Sequence, residues 1–347
     1  MSLKLTDLRT ISKVLLEQTG LSTTRAEQTT DALLFADVWG VASHGVLRLP
    51  WYLERAEHGG ISPEANLTAV ADHAAVVTLD GQAGYGHWQA WQAAEEAARR
   101  AVDTGVAVVS VSNSNHCGAL GVHTLPMLRR NLIGLAFSNG PAVMPPWGGE
   151  APLFSTSPLA AGIPSSPAPI VIDMALSTVA RGKVFQRASE GRLLPTGWAL
   201  DSDGKPTTDP DRGLAGMLSP LGGAKGYALA LLVESLTGGL VGPRLSGDVV
   251  DMFDREALHL PQGISHLVMA LNPDLIDPSG DASQRFDDLT RRISLAGGRQ
   301  PGSTRVVTLE GMEAEQVPIQ RSTLVELADW ATRSGTHVPE ELASALG

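Results

Sequence analysis

Cysteine is all but missing from this chain. Cys117 is the single one in 347 residues, which excludes an intrachain disulfide and any zinc or iron–sulfur site built on several cysteines, so no oxidising compartment is needed. Positive charge is also short, with 26 Lys and Arg against 37 Asp and Glu and a net charge of −11. A general nucleic-acid or anionic-membrane binder needs a positive field, and that class is excluded. Aromatic residues make up only 5%. No stretch resembles a membrane span of ~20 apolar residues; the most apolar candidate helix, Gly226 to Leu240, is shorter and carries Glu234. Met1 to Asp7 has no basic start leading into an apolar run, so no export signal is expected and the cytoplasm is the expected location. Two phosphate-binding signatures are absent as well. No Gly-x-Gly-x-x-Gly follows a strand and no Gly-x-x-x-x-Gly-Lys-Ser/Thr occurs, so neither a Rossmann fingerprint nor a P-loop is supported.

What is present is the apolar surplus of a packed protein, 43% hydrophobic against 18% charged. The length suits one large or two moderate domains of ~100 to 200 residues each. With Gly 37 and Pro 22, tight turns should be many and loops should carry much of the function. Leu8, Ile11, Leu15 and Leu16 have the spacing of one helical face. Thr24 with Glu27, and Thr323 with Glu326, read as capping boxes that start two further helices, the first stopping near Gly40. Between these helical ends lie β-branched runs at Ala74 to Leu79, Val106 to Val111, Leu132 to Phe137, Pro169 to Met174 and His266 to Leu271. Helical stretches at His87 to Val102 and Gly226 to Leu240 alternate with them, which predicts an α/β body.

Three groups of residues could carry chemistry. Ser43-His44-Gly45 is followed by Arg48 and Tyr52 at four-residue steps from His44, which would place imidazole, guanidinium and phenol on one helical face. Histidine exchanges protons near neutral pH and arginine holds a carboxylate through paired hydrogen bonds. The competing reading is a solvated helix face with a capping serine, and Pro50 counts against one unbroken helix. The second group, Ser112 to Gly118, follows a strand, the usual place for a ligand in an α/β sheet, and contains His116. A metal on His116, Cys117 and His123 matches no usual zinc spacing, and Cys117 reads as a small buried residue. The third group comprises glycine-rich loops at Ser138 to Ala142, Trp147 to Gly149, Ser155 to Pro158 and Leu221 to Gly226, where Lys225 opens a helix and backbone N–H groups could cradle phosphate. Asp173, at a strand end, either orients a histidine or ribose hydroxyl or caps the next helix.

Taken in order, these pieces resemble the malate/L-lactate dehydrogenase family of non-Rossmann NAD(P)-dependent 2-oxoacid and imine reductases. The resemblance runs over almost the whole chain. It rests on Ala36-Asp-Val-Trp-Gly-Val-Ala-Ser-His-Gly-Val-Leu-Arg48, Asn115-His-Cys-Gly-Ala119, Pro146-Trp-Gly-Gly149, Ser157-Pro-Leu159, Asp173-Met-Ala175 with Ala180-Arg-Gly-Lys183, Thr196-Gly-Trp-Ala-Leu200, Asp203-Gly-Lys-Pro-Thr-Thr-Asp209, Gly222-Gly-Ala-Lys-Gly-Tyr227 and Pro301-Gly302. It implies a helical domain built from both chain ends (1–65 and 304–347) and a mixed-sheet α/β cofactor domain (66–303), usually in a homodimer. It implies NAD or NADP as cofactor and a small carboxylate-bearing substrate. His44 or His116 would be the proton donor, with His44 preferred, Arg48 the carboxylate clamp, and Ser43 and Tyr52 their support. His116, Cys117, Gly118, Ala119, Leu120, Gly140, Asp173, Met174, Ala175, Lys225, Gly226, Pro301 and Gly302 would lie near the dinucleotide. Two positions depart from the pattern: Ser157 stands where an asparagine is usual, and Ser303 replaces a frequent acid. Lys183 resembles the hydroxy-acid members, since the cyclic-imine reductases tend to carry an acid there, which tilts the expected substrate towards a 2-oxo acid.

Overall fold

The computed structural model describes residues 1–335 together with 340, 342 and 343. A short strand, β1 (Ser2–Lys4), leads into helices α1 (Leu5–Gln18), α2 (Thr23–Val38) and α3 (Leu49–Glu57). Leu5, Leu8, Ile11, Leu15 and Leu16 form the buried face of α1, as their spacing requires. The two expected capping boxes are not made. Helix α2 begins one residue before Thr24, at Thr23 after Ser22, and Glu27 instead reaches back to Lys13 Nζ of α1 at 2.6 Å. The last helix begins at Arg321, which places Thr323 inside it and buried beside Leu324.

The middle of the chain is a sheet with helices against it. Six strands come first: β2 (Thr68–His73), β3 (Val76–Asp80), β4 (Val106–Ser114), β5 (Ile133–Ser138), β6 (Leu159–Ile163) and β7 (Ile170–Met174). Three two-residue strands, β8 (Ala199–Leu200), β9 (Pro206–Thr207) and β10 (Met217–Leu218), make a separate small sheet. Then β11 (Ile264–Leu271) inserts into the main sheet, whose order is β2-β3-β4-β11-β5-β6-β7. Only β3 and β4 run parallel, so the sheet is mixed. Helix α4 (Gly86–Thr104) joins that parallel pair and lays Ala93, Ala94, Ala97, Ala98 and Ala101 against Val77, Val109, Val111 and Val268. Alanines let the helix sit close to the sheet, where a bulkier side chain would cost about 1–3 kcal/mol.

Both chain ends share one hydrophobic core. Strand β12 (Gln316–Pro318) pairs antiparallel with β1, Val317 opposite Leu3. Leu324, Leu327 and Ala331 of the Arg321–Arg333 helix pack with Leu8, Leu16, Leu33, Leu34 and Leu53. The same core takes in Tyr85 and Trp88 at the start of α4, and Ala119, Val122 and Leu125 after β4. The loop that carries His116 is therefore held at the seam between helices and sheet. The expected Gly226 to Leu240 helix is an α-helix over Ala224–Glu234 continued by a π-helical turn, Ser235–Gly239. There the buried Glu234 carboxylate turns away to accept the N–H and hydroxyl of Ser246 at 2.7 and 2.5 Å.

Candidate active site

The Ser43 to Tyr52 stretch is not one helix. It forms two 3₁₀ turns, Ala42–His44 and Val46–Arg48, broken at Gly45, and α3 begins only at Leu49 with Pro50 in its first turn. The break has a cause nine residues upstream. Asp37 at the end of α2 accepts the Val46 N–H at 2.8 Å, and its carboxylate fills the space a side chain at Gly45 would need: a Cβ there would lie 2.0 Å from Oδ1. Burial pushes the Asp37 carboxyl up to about 7, against that hydrogen bond. Folded in this way, the segment still gathers the expected residues. Arg48 Nε donates to the Ser43 carbonyl at 2.8 Å and its guanidinium lies over the Phe253 ring at 4.6 Å. Ser43 Oγ is 2.9 Å from His44 Nδ1.

His116 completes the group from across the seam. Its ring stacks with that of His44, centroids 5.7 Å apart. Tyr52 Oη lies 2.7 Å from His116 Nδ1, and the Gly118 N–H donates to the same nitrogen at 3.2 Å. A backbone amide can only donate, so Nδ1 carries no proton, the Tyr52 hydroxyl is the second donor, and the neutral ring holds its proton on Nε2. Burial, then Arg48, pushes His44 down to about 4. Burial first, then His44, His87, Arg48 and His266, holds His116 well below the ordinary histidine value. Burial raises the Tyr52 phenol. At neutral pH the site thus presents two uncharged imidazoles beside a cationic guanidinium.

Other buried histidines pin the loop. His123 Nε2 donates to the Cys117 carbonyl at 2.9 Å, and His266 bridges Ser138 Oγ at 3.0 Å and the Asn115 carbonyl at 3.1 Å. Cys117 is buried and its thiol is pushed up to about 12 by burial and then Asp173, as a packing residue and not a nucleophile. Among the described residues, no group of three or more His, Cys, Asp or Glu side chains is placed to hold a metal.

Several of the residues expected near a dinucleotide lie in or beside β7, while Gly140 lies against Ser155. Gly121 lies against Asp173, and the Pro301 carbonyl accepts the Val171 N–H at 3.2 Å. Leu221 N–H donates to the Leu176 carbonyl at 2.8 Å, which brings the start of the Ala224–Glu234 helix, with exposed Lys225, next to Ala175. Asp173 is inside the strand and caps no helix; burial raises its carboxyl, opposed by Arg305 and the Gly121 amide. Arg305 stacks over Trp39 at 4.9 Å, stands 3.9 Å from Asp173, and its buried Nη1 finds no hydrogen-bond partner. A buried guanidinium nitrogen with no hydrogen bond, beside glycine loops and a helix start, fits a phosphate-bearing cofactor. The glycines have a protein reason too, because a Cβ at Gly226 would meet the Leu221 carbonyl at 1.9 Å and one at Gly302 the Val171 carbonyl at 2.6 Å. Arg181 is occupied by Asp251 at 2.9 Å, and Lys183 is exposed in the first turn of the Arg181–Ser189 helix. Clefts of about 110 Å³, around Arg181 and Asp251, and about 430 Å³, around Asp80 and Asn113, include none of His44, Arg48, Tyr52 or His116.

A mixed α/β body with a histidine pair beside an arginine suits an enzyme acting on a small anionic substrate, and comparison with known proteins identifies its family. The model of the malate/L-lactate dehydrogenase family matches residues 3–328. A (2R)-3-sulfolactate dehydrogenase (NADP(+)) from Chromohalobacter salexigens is 39% identical over 331 residues, 95% of this chain and 98% of that protein. Among solved structures, the sulfolactate dehydrogenase of Methanocaldococcus jannaschii superposes with a TM-score of 0.89 at 27% identity, over 98% of this chain and 99% of that one. The Δ1-piperideine-2-carboxylate reductase of Pseudomonas syringae pv. tomato gives 0.86 at 30%, over 95% and 100%. The chain belongs to the malate/L-lactate dehydrogenase family. It is a dehydrogenase, with the mixed-sheet fold that the resemblance implied.

Proposed function

We propose that the chain catalyses reversible hydride transfer between NAD or NADP and C2 of a small 2-hydroxy or 2-oxo acid of the sulfolactate, malate, lactate or ureidoglycolate type. The observation that carries this reading is the stacked His44–His116 pair next to Arg48. When bound, the nicotinamide supplies or accepts the hydride; the remaining steps belong to the chain. Arg48 has its Nε tied to Ser43 and one face on Phe253, which leaves its Nη groups to grip the substrate carboxylate and fix C2. His116, locked with its proton on Nε2, donates a hydrogen bond to the C2 heteroatom as charge develops there. His44 Nδ1 faces a hydroxyl, which can donate or accept, so the ring tolerates either tautomer and can give its Nε2 proton to the C2 heteroatom while Nδ1 takes the Ser43 hydroxyl proton, which solvent replaces. Asp173, Arg305, Lys225 and the 116–121 and 301–302 segments would hold the dinucleotide.

Likeness to the Pseudomonas reductase supports a second substrate class, cyclic imino acids, which need the same clamp and proton. Purified protein mixed with NADH or NADPH and a panel of 3-sulfo and 3-carboxy 2-oxo acids, simple 2-oxo acids and cyclic imines separates the two by loss of reduced-nicotinamide absorbance. Turnover of the oxo acids is expected. No turnover with any of them, together with no calorimetric binding of either cofactor, would remove the proposal. A homodimer is part of it. Past Lys225 the Ala224–Glu234 helix carries apolar residues on its outer side, and with the Leu240 that follows its π turn it leaves Leu229, Leu231, Leu232 and Leu240 exposed, the last two at 52% and 69%. A surface of that kind supports self-association.

A further inference from the structure

We propose that His87 is a positioning residue for this chemistry: its ring backs both groups that donate to His116 Nδ1, Tyr52 Oη and the Gly118 amide, and thereby holds His116 in its Nε2-protonated form. The inference rests on the reading of His116 as a site residue. His87 is the second residue of α4 and is completely buried. Its ring meets the Tyr52 ring edge-on, centroids 4.7 Å apart at 81°, and stands 6.4 Å from that of His116. On its other side it lies against Gly118, where a Cβ would come within 2.9 Å of Cδ2 and Nε2. Gly118 is thus in left-handed backbone (φ +75°) with no side chain because the His87 ring is there. Gly86, the first residue of α4, abuts the Asn115 and His116 carbonyls, at 2.0 and 2.7 Å from a notional Cβ, so helix and loop approach as closely as they do because no side chain intervenes.

Neither ring nitrogen of His87 has a hydrogen-bond partner in the protein. A buried imidazole with nothing to bond contributes through its shape, and that shape lies against both donors, the Tyr52 ring and Gly118. The groups around His116 that bear on its protonation are His44 and Arg48 from the 3₁₀ turns, Tyr52 from α3, His87 from α4 and His266 from β11. Of these, His87 has its ring against both donors.

The test pairs two variants and two readouts. In protein labelled with ¹⁵N in the histidine rings, with His116 assigned by its loss in His116→Asn, the wild type is expected to show an aprotic Nδ1 and a protonated Nε2. His87→Ala removes the backing. His116 should then show a mixture of tautomers, kcat should fall roughly tenfold or more while KM for the oxo acid stays within about threefold, and the acid limb of the kcat profile should move towards ~6.5. His87→Phe keeps the ring edge and should retain the wild-type tautomer and kcat. An unchanged His116 tautomer in a cooperatively folded His87→Ala protein overturns the proposal, as does a His87→Phe protein that behaves like His87→Ala. An inactive wild type in which the tautomer change still appears would remove the dehydrogenase reading and leave the positioning role standing.

Discussion

Arg48 is the residue on which the substrate reading turns. Charge-assisted hydrogen bonds to a carboxylate are worth about 1.5–3 kcal/mol, so Arg48→Gln should raise KM for the oxo acid roughly 10- to 100-fold. Steady-state kinetics would expose a wrong assignment as a KM within threefold of wild type. Ser157 offers a prediction about stability. It occupies left-handed backbone at φ +45°, where a side chain is tolerated poorly and asparagine better than most. Its amide and hydroxyl bond only to Ser155, next door but one. Ser157→Asn, the residue usual in the family, should therefore raise the melting temperature by about 1–2 °C without changing cofactor affinity. A lower melting temperature would show that the serine hydroxyl matters more than the backbone. At this scale the sequence was informative about which residues and silent about why. His44, Arg48 and Tyr52 do gather, but their four-residue spacing is not the reason, since Gly45 and Asp37 break the helix. Tyr52 and His116 lie 64 residues apart, and Phe253 reaches Arg48 from 205 residues downstream. No spacing rule covers either pair. His87 belongs to no motif and was invisible.

At the scale of elements, legibility followed side-chain chemistry. The β-branched runs 76–79, 106–111 and 264–271 are strands because Val and Ile suit a pleated, buried surface, and the sequence announces them. Strand β6, Leu-Ala-Ala-Gly-Ile, announces nothing: its residues are small because Gly162 must let Thr124 and Leu128 come near. The parts of the site carried on named strands were thus placeable, while the small three-stranded sheet, made of two-residue pairings, was not. The apolar Ala224–Glu234 helix makes the element-scale prediction. If its outer leucines meet a second copy, Leu232→Glu should convert a dimer into a monomer in sedimentation velocity, with the fold retained by circular dichroism. Wild-type protein that sediments as a monomer at micromolar concentration would rule this face out.

For the whole molecule, protonation is the common thread. Burial depresses five histidines, 44, 87, 116, 123 and 266, the first and fourth to about 4 and His266 to about 3. Their unfolded value is ~6.5, so as pH falls the unfolded chain takes up protons first, and stability drops from about pH 6.5 down through about 3, the folded value of His266. Asp37 works in the opposite sense. Its folded value near 7 lies above that of the unfolded chain, so its contribution is complete at low pH and is lost as pH rises towards 7. Five groups outweigh one. Melting temperatures should fall steeply below pH 6, and Asp37→Asn should lift the melting temperature at pH 8 more than at pH 5. A melting curve indifferent to pH between 7 and 5 would contradict the burial of these rings.

The pairing of β1 with β12 has a consequence for how the protein is made. Leu3 finds Val317, and the α1 face finds Leu324 and Leu327, only after more than three hundred further residues have been joined. A ribosome adding about 5–20 residues per second exposes that leucine face for tens of seconds. During synthesis the α1 face therefore waits for its C-terminal cover, and Arg48 of the second 3₁₀ turn, made early, meets the Phe253 ring only after 205 further residues have been joined.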